Sequence, residues 1–452
     1  MADDSAPINR LPFELLSYIF ILSALPGWPS WTNVFKLQRV CAYWRSVAIQ
    51  TPELWNLRDL PMLGRNRQLD EALTARCLER SAALPLKVVM RELHPLVIPP
   101  ALLAAWHRWQ SLHLVLVQHA GSSQLVDPDI ITLLSQIPSR GFKNLRDVEL
   151  EFFMESTAFH DPRLQWTGEE LRWNFEDAPH LKTFKLRLPR DAQLVPPTAP
   201  WSQLQEVSLQ VSLVQWCFNA VAACTNAPKI SISTGSWPEG ATVDTNTPVP
   251  LPNLEIFNLT LQVWGQGEHF NPFLRRLRTP RLYDLTLGVE NKYTDTTWVP
   301  QSVLPNLERF LRDAPNLRNL DLQRVVTTDQ LLLVLRHTPN LVTLAFSESG
   351  PDWHLDHNAF YELASLTAQG VVPKLENVHF EDLGERFGIE AFEEFVRSRF
   401  WSGTETRNVA RLQTVSLNFS YAEFDMDWMR DVLDTFRSEG LNLYCFVENE
   451  SL

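Results

Sequence analysis

The side chains best suited by type to hold a metal ion are two aspartates and two histidines within six residues, Asp352, His354, Asp356 and His357. Carboxylate oxygens and imidazole nitrogens are ligands that zinc accepts, but these four would converge only in a tight loop. The same residues fit a solvated turn before a helix that begins near His357, and we favour that interpretation. The sequence therefore predicts no metal site.

Acid–base chemistry has one candidate pair, His160 and Asp161. Two adjacent residues do not form a triad, and nothing in the surrounding sequence identifies a nucleophile. The run Gly265–Phe270 begins like a dinucleotide-binding loop but lacks its third glycine. We therefore expect no catalytic residue and no cofactor, and we predict that the chain is not an enzyme.

The net charge and the lack of long apolar runs limit the classes of partner that the chain can bind. Forty Lys and Arg residues against fifty-three Asp and Glu residues give a net charge of −13, and no basic block is present to bind a phosphate backbone. The N terminus lacks a signal-peptide pattern, and no run of about eighteen apolar residues occurs. We expect a cytoplasmic protein, a nuclear protein or both, which binds neither nucleic acid nor a membrane.

The cysteines support the same compartment. They are scattered along the chain without a Cys-x-x-Cys pair, at Cys41, Cys77, Cys217, Cys224 and Cys445. This arrangement is typical of free thiols in a reducing environment and not of a disulfide framework.

The elements that must position any functional side chain are short strands that recur along most of the chain. From about residue 80 one pattern repeats: a leucine, two residues, an apolar residue, one residue and a second apolar residue. The last two apolar residues share one face of a strand, and the leucine enters the core from the turn before it. Nine clear copies begin at Leu145, Leu181, Leu204, Leu254, Leu282, Leu317, Leu341, Leu375 and Leu412, and weaker copies begin at Leu86, Trp109 and Ile230.

Proline marks the change from helix to strand. Seven copies carry Pro two positions before their first apolar residue, and Pro cannot continue a helix. Amphipathic helices are predicted upstream, most clearly at 328–336 with Thr327 or Thr328 as the cap. Further helices are predicted at 169–176, 214–225, 308–313, 357–368, 390–399 and 427–437.

Units of one strand and one helix bury their apolar faces only by stacking. Most consecutive copies lie 23 to 37 residues apart, which predicts an α/β fold: an irregular solenoid with parallel strands inside and helices outside. The body resembles a leucine-rich-repeat domain. That family commonly has Asn or Cys three positions after the last apolar residue, and none of the nine copies does. We therefore expect no asparagine ladder.

The chain is too long for one core, which stops growing at about 250–300 residues. We predict a head at residues 1–60 and a repeat body at residues 61–452. We predict surface loops near 235–249 and 291–301 and a closing strand at Leu441–Val447.

Side chains that flank the buried pair of each strand are expected on the open face of the sheet. Acidic residues on one strand precede basic residues on the next, and such a patch can select a charged partner. A sheet face in water is polar in any case, which is the alternative interpretation. The candidate target-binding residues are Asp147, Glu149, Glu151, Lys185, Arg187, Asp321 and His379.

The head has more apolar surface than its own core needs. Two apolar stripes run along its first predicted helix, Leu11, Leu15, Ile19 and Leu22 on one and Pro12, Leu16 and Phe20 on the other. A second helix is predicted from Leu37 to Ala48. A domain of about fifty residues with this surface either docks on the body or binds another protein.

Three motifs in the head occur in order. They are Leu-Pro-x-Glu-Leu-Leu-x-x-Ile-Phe at 11–20, Val-Cys-x-x-Trp-Arg-x-x-Ala at 40–48 and Thr-Pro-x-Leu-Trp at 51–55. Together they resemble the F-box, and the whole arrangement resembles fungal F-box proteins with leucine-rich-repeat-like bodies. The resemblance covers about 8–57 and implies a three-helix domain that binds the Skp adaptor of a Skp–cullin–F-box ubiquitin ligase. The connection at 23–32 is longer than is usual in the family.

The resemblance also implies roles. The adaptor-facing residues would be Leu11, Pro12, Leu15, Leu16, Ile19, Val40, Cys41 and Trp44. The head would bind the adaptor and, through it, cullin, while the body captures an unidentified protein target for ubiquitin-dependent degradation. Two alternatives remain open, an adaptor-binding scaffold that delivers nothing for degradation and a helical cap over the first repeat.

Overall fold

The computed structural model describes residues 7–24, 31–56, 67–91, 98–118, 137, 141–154, 174–188, 197–237, 247–262, 267–290, 303–347, 357–383, 387–400, 409–419, 426–447 and 450–451. The chain divides into two compact units, Met1–Leu204 and Gln205–Leu452. The predicted clusters at 352–356 and 160–161 and the loop at 291–301 lie outside the described residues.

Three α-helices begin the first unit: α1 at Phe13–Ala24, α2 at Trp31–Val40 and α3 at Ala42–Gln50. A 3₁₀ helix follows at Pro52–Trp55. The prediction of a single second helix from Leu37 to Ala48 was wrong, because Cys41 interrupts it with an extended backbone at φ −155° and ψ 174°. The Trp44 N–H donates to Cys41 Sγ at 3.4 Å, so Cys41 caps the start of α3.

The connection predicted at 23–32 is shorter than expected. Ser23 and Ala24 belong to α1, and Trp31 begins α2, while the residues between them lie outside the described part of the chain.

The core of the helical head extends beyond the three helices. Leu16, Phe20, Val47 and Trp55 are almost fully buried in it, and Cys77 from helix α4 (Arg67–Arg80) packs in the same cluster. The Arg80 guanidinium lies 4.3 Å from the centre of the Trp55 ring. The head therefore shares its core with a helix that the sequence placed in the body.

In the described residues of the first unit, the sheet has four parallel strands in chain order, and a short helix α5 (Pro100–Ala104) precedes the second. The strands are β1 (Leu86–Arg91), β2 (Trp109–Gln118), β3 (Asp147–Met154) and β4 (Thr183–Arg187). The weak copy at Leu86 was predicted to bury Val89. The pairing register shifts after Leu86, so Val88 and Met90 are buried instead.

The sheet of the second unit is parallel except for its last strand, which pairs antiparallel. In order it contains β5 (Glu206–Val211), β6 (Lys229–Thr234), β8 (Ile256–Leu261), β10 (Asp284–Val289), β11 (Asn319–Gln323), β12 (Thr343–Ser347), β13 (Asn377–Leu383), β14 (Thr414–Phe419), β15 (Asn442–Val447) and β16 (Glu450–Ser451). Two short strands, β7 (Val249–Pro250) and β9 (Leu277–Arg278), pair separately.

In the described residues, helices connect most of these strands. They are α6 (Val214–Ala223), α7 (Asn271–Arg276), α8 (Leu304–Arg312), α9 (Thr328–Leu335), α10 (His357–Ala368), α11 (Ile389–Arg399) and α12 (Met426–Ser438). All but α7 overlap predicted helices. Thr327 precedes α9 and donates its backbone N–H to Gln330 Oε1 at 3.2 Å, which completes a capping box. The helix predicted at 169–176 is not formed over its described part, where Asn174 makes a β-bridge to Thr198.

Burial confirms the repeat pattern and its phase. All three apolar residues of each of the nine clear copies are buried, with at most 2% of their surface exposed. The flanking residues are more accessible, and β5, β6 and β8 alternate strictly between partly exposed and buried positions. The prediction of an α/β chain with parallel strands and helices around them is therefore confirmed.

The position that carries the family's asparagine ladder holds no asparagine in the nine copies, but asparagines in the turns before the strands form a short asparagine ladder of their own. Asn316 Nδ2 donates to the Pro280 carbonyl at 3.0 Å, and Asn340 Nδ2 donates to the Pro315 carbonyl at 2.9 Å. Each asparagine stands between the proline and the leucine of its copy. Its amide therefore reaches the turn of the preceding unit, and Asn144 makes the equivalent bond to the His107 carbonyl at 2.8 Å.

The predicted closing strand is β15, which buries Leu443 and Cys445. Within the described residues, no helix combines the length and the apolar character needed to cross a membrane.

Candidate functional site

The helical head displays an apolar surface. Among the described residues, thirteen large apolar side chains are exposed, and eight of them lie between residues 8 and 43: Ile8, Phe13, Leu15, Tyr18, Ile19, Leu22, Val40 and Tyr43. Leu15 is 53% exposed, Tyr18 59% and Leu22 48%. Contiguous exposed apolar side chains mark surfaces that bind other molecules.

The predicted adaptor-facing residues fall into three groups. Pro12, Leu15, Ile19 and Val40 are exposed. Leu11, Cys41 and Trp44 are partly exposed, and the Trp44 ring packs 4.9 Å from that of Phe20. Leu16 is fully buried in the head core, so it positions α1 from the inside and offers no surface to a partner.

Sequence reasoning missed part of this surface. Tyr18 is the most exposed large apolar residue among those described in the head, and it lies three positions after Leu15 and four before Leu22. This spacing places the three side chains on one face of the helix, so the sequence could have identified Tyr18 as part of the surface. Tyr43 also belongs to the surface, and its hydroxyl donates to the Leu11 carbonyl at 3.0 Å, which ties the start of α3 to the residues before α1.

In the first unit, the polar face of the sheet gathers a histidine and two glutamates. His113 on β2 lies opposite Glu149 on β3, with 3.9 Å between His113 Nδ1 and Glu149 Oε2 and 3.1 Å between His113 Nε2 and Glu151 Oε1. These three side chains offer ligand atoms within 4.8 Å of one another, so they have the types and spacing for a divalent cation. The imidazole also bridges the two carboxylates by itself.

The basic residues predicted beside them lie on the adjacent strand. The register pairs Glu149 with Lys185 and Glu151 with Arg187. The Arg187 guanidinium lies 4.4 Å from the centre of the Phe153 ring. Sequence reasoning identified four of these side chains but missed His113, which stands between the buried pair of the weak copy at Trp109. Asp147 is exposed at the start of β3.

In the second unit, the structure places Asp321 and His379 in one row across the sheet. Asp321 on β11 pairs with Ala345 on β12, which pairs with His379 on β13. Burial raises the pKa of the Asp321 carboxyl, a hydrogen bond from Gln323 opposes this rise, and the nearby Asp284 charge adds to it. Burial lowers the pKa of His379, and the negative charge of Glu381 opposes this change.

A groove of about 1170 Å³ runs along the starts of the strands in the same unit. Its charged lining consists of Glu255, Arg281, Arg318, Lys374 and Glu376. Lys374 Nζ donates to Asn340 Oδ1 at 2.8 Å, so the asparagine ladder forms part of the wall.

No protein-family model matches this sequence, and no curated protein matches it. Among solved structures, the chain is similar to that of a TLR13–ssRNA13 complex, with a TM-score of 0.34 and 16% identity over 62% of this chain and 36% of that chain. A protein from Bacteroides fragilis is similar with a TM-score of 0.31 and 10% identity over 77% of this chain and 67% of that chain. This chain therefore spans about a third of the TLR13 chain, and neither likeness assigns it a function.

Proposed function

We propose that this chain is the substrate-recognition subunit of a Skp–cullin–F-box ubiquitin ligase, acting in the cytoplasm or nucleus. The head binds the Skp adaptor, and the body binds a protein target. The observation that supports the proposal is the concentration of exposed apolar side chains on the head, on the segments whose motifs resemble the F-box.

The two sides of α1 have different surroundings. Leu16 and Phe20 point into the head core, while Leu15, Tyr18 and Leu22 remain exposed on the same helix. The buried residues hold the exposed ones in fixed positions, which lowers the conformational entropy lost on binding. Each leucine-sized side chain that a partner covers completely contributes roughly 1.5–3 kcal/mol.

The body supports the target-binding half of the proposal through its open polar faces. Their side chains alternate with a buried core, so they are held on strands and not on loops. Covalent linkage of a target-binding face to the adaptor-binding head would raise the effective concentration of the target at the ligase. In this proposal the chain performs no bond-making step, and partner enzymes transfer the ubiquitin.

The proposal is tested with the purified full chain and a purified Skp adaptor. Leu15→Asp and Ile19→Asp each place a charge on the apolar surface of α1, and we expect adaptor affinity to fall at least about tenfold. Leu333→Asp is the matched control, because Leu333 on α9 and Ile19 are both 39% exposed. Equal retention of the adaptor by all three variants and the native chain would exclude the proposed head interaction.

A second measurement separates the ligase subunit from the scaffold alternative. If the chain delivers targets, the complex captured from cells contains cullin, and deletion of residues 1–60 stabilises at least one body-bound protein. Capture of the adaptor without cullin, or no stabilised protein after the deletion, would favour a scaffold.

A further inference from the structure

On the open face of the second unit, the outward carboxylates of six neighbouring strands lie on three of them, β10, β11 and β13. We define the acidic face as the outward side chains of β10 to β15. Its carboxylates are Asp284, Asp321 and Glu381, and no Lys or Arg occupies an outward position on the described part of these strands. His379 lies two strands from Asp321 in the same row of this face.

Two of these carboxylates lie on adjacent strands and receive hydrogen bonds from neutral amides. Asn319 Nδ2 donates to Asp284 Oδ2 at 2.9 Å, and Gln323 Nε2 donates to Asp321 Oδ2 at 2.8 Å. Neither bond neutralises a charge, and the two aspartates repel each other across the strand pair. A cation placed between them would relieve this repulsion and gain a charge-assisted hydrogen bond.

Two small residues, Gly288 and Ala345, lie beside Gln323 and Asp321. Gly288 pairs with Gln323 on the next strand, and a Cβ at Gly288 would lie 3.1 Å from Gln323 Oε1. The side-chain amide of Gln323 therefore occupies the space that a larger residue at position 288 would fill. Ala345, beside Asp321, carries one methyl group between that carboxylate and His379. On the β12 side of Asp321, an incoming side chain therefore meets only the Ala345 methyl group.

Exposed aromatic residues stand at the far end of the same face. Tyr444 is 52% exposed and Phe446 44% on β15, and the register runs from Asp321 through Ala345, His379 and Ser416 to Tyr444. Four strand spacings separate Asp321 from Tyr444, or about 19 Å. An extended peptide covers that distance with about six residues.

We propose that the acidic face binds a basic, extended segment of the protein target. A Lys or Arg side chain lies between Asp284 and Asp321, and an apolar side chain about six residues away packs on Tyr444 and Phe446. The cations Arg281, Arg318 and Lys374 line the groove at the strand starts, so they favour a path across the middle of the strands. This inference deepens the proposed function, because it names the chemical class of the target.

The test uses an array of immobilised twelve-residue peptides, each with one Lys or one Glu and one Leu at varied separation in a Ser/Gly background. The probe is the fluorescently labelled full chain. We expect Lys peptides to be retained over Glu peptides, most strongly at a separation of about six residues. Asp321→Asn should weaken this retention about tenfold, and Tyr444→Ser should remove the dependence on Leu.

The control is Asp329→Asn, the same change at an exposed position on α9 outside the acidic face. Thermal melts establish that each variant is folded. Asp284→Asn is a second variant that removes a negative charge from the same part of the acidic face. Equal retention of Lys and Glu peptides, or equal losses for Asp321→Asn and Asp329→Asn, would overturn the proposal. The array contains no adaptor, so its outcome is independent of whether the head binds Skp.

Discussion

Arg399 is a charged side chain with no exposed surface, and it joins two repeats. From α11 its guanidinium donates to the carbonyls of Leu375 at 3.0 Å, Val372 at 2.8 Å and Val371 at 3.2 Å. Burial lowers its pKa to about 10, which still leaves it protonated at neutral pH. Its charge is compensated by the dipoles of carbonyl groups at the turn before β13.

Replacing Arg399 should show how much this interaction stabilises the fold. Arg399→Met keeps the length of the side chain but leaves buried carbonyls without donors, so we expect the free energy of unfolding to fall by about 3 kcal/mol. Arg397→Met is the matched control on the same helix, because Arg397 is half-exposed and pairs with Glu393 at 2.8 Å. It should cost less than about 1 kcal/mol. Urea unfolding measures both, and equal losses would contradict the argument.

The five cysteines should differ sharply in reactivity. Burial raises the pKa of Cys77, Cys217 and Cys224 to about 12 and that of Cys445 to about 11. Because the thiolate is the nucleophile, these four thiols should stay unreactive in the folded chain until the pH approaches those values. Cys41 is partly exposed, so iodoacetamide at pH 8 should modify one thiol rapidly.

Mass spectrometry locates the modified thiol. Cys41→Ser should abolish the rapid phase while retaining a residue that can cap α3. Rapid modification of Cys217 or Cys224 in the native chain would contradict the assigned burial. Because Cys41 belongs to the apolar side of the head, bound adaptor should also slow its modification.

At the scale of elements, neighbouring repeats are joined by turns as well as by strands. In the second unit, two consecutive backbone N–H groups donate to one carbonyl of the preceding turn, as Val342 and Thr343 do to the Arg318 carbonyl at 2.7 and 2.9 Å. The asparagine bonds reinforce these contacts from a side chain two positions earlier, as Asn340 lies two positions before Val342. The Pro-Asn-Leu run therefore ends a helix, bonds to the previous turn and begins a buried strand.

One turn of the first unit requires glycine at position 141, because its backbone has a positive φ and because a side chain there would collide with a neighbour. Gly141 has φ of +93°, and a Cβ there would lie 2.4 Å from a ring atom of Trp106. Gly440 has nearly the same φ, +94°, with nothing within 4 Å of its Cβ position. Gly440→Ala should cost only the backbone strain, roughly 1–2 kcal/mol.

Gly141→Ala should cost about 1–3 kcal/mol more than Gly440→Ala, because the Trp106 ring must move. Thermal unfolding of the two variants measures the difference. Equal destabilisation would mean that the ring rearranges freely and that only backbone strain matters.

At the scale of the whole molecule, the helical head is not confined to the residues that carry its motifs. Its core takes in Cys77 and Leu73 from α4, and Asn56 Nδ2 donates to the Pro85 carbonyl at 2.7 Å. A fragment of residues 1–60 lacks these contacts. We expect a fragment of residues 1–85 to unfold cooperatively and at a higher temperature than 1–60, because it retains apolar burial around Trp55.

Circular dichroism melts of the two fragments make this comparison. Cys77→Asp in the longer fragment buries an unpaired charge in the shared core, so its melt should shift toward that of the shorter one. The prediction fails if both fragments melt at the same temperature.

The local structure of most repeats follows from the amino-acid sequence alone. Strand positions and their inward residues follow from the alternation of apolar side chains, as at Leu317, Leu320 and Leu322, because the period of two residues allows only one choice of face. Helix positions such as α9 and α10 follow from periodicity, capping and proline. These features depend on residues near one another in the chain.

Contacts between distant side chains depend on tertiary packing. The approach of His113 to Glu149 and Glu151 depends on the register between β2 and β3, and the asparagine ladder depends on turns 25 to 36 residues apart. Likewise, Cys77 enters the head core through α4, and Leu16 is buried while Leu15 is exposed. Such contacts join distant parts of the chain. Packing selects them, and no local propensity encodes the register or the partner.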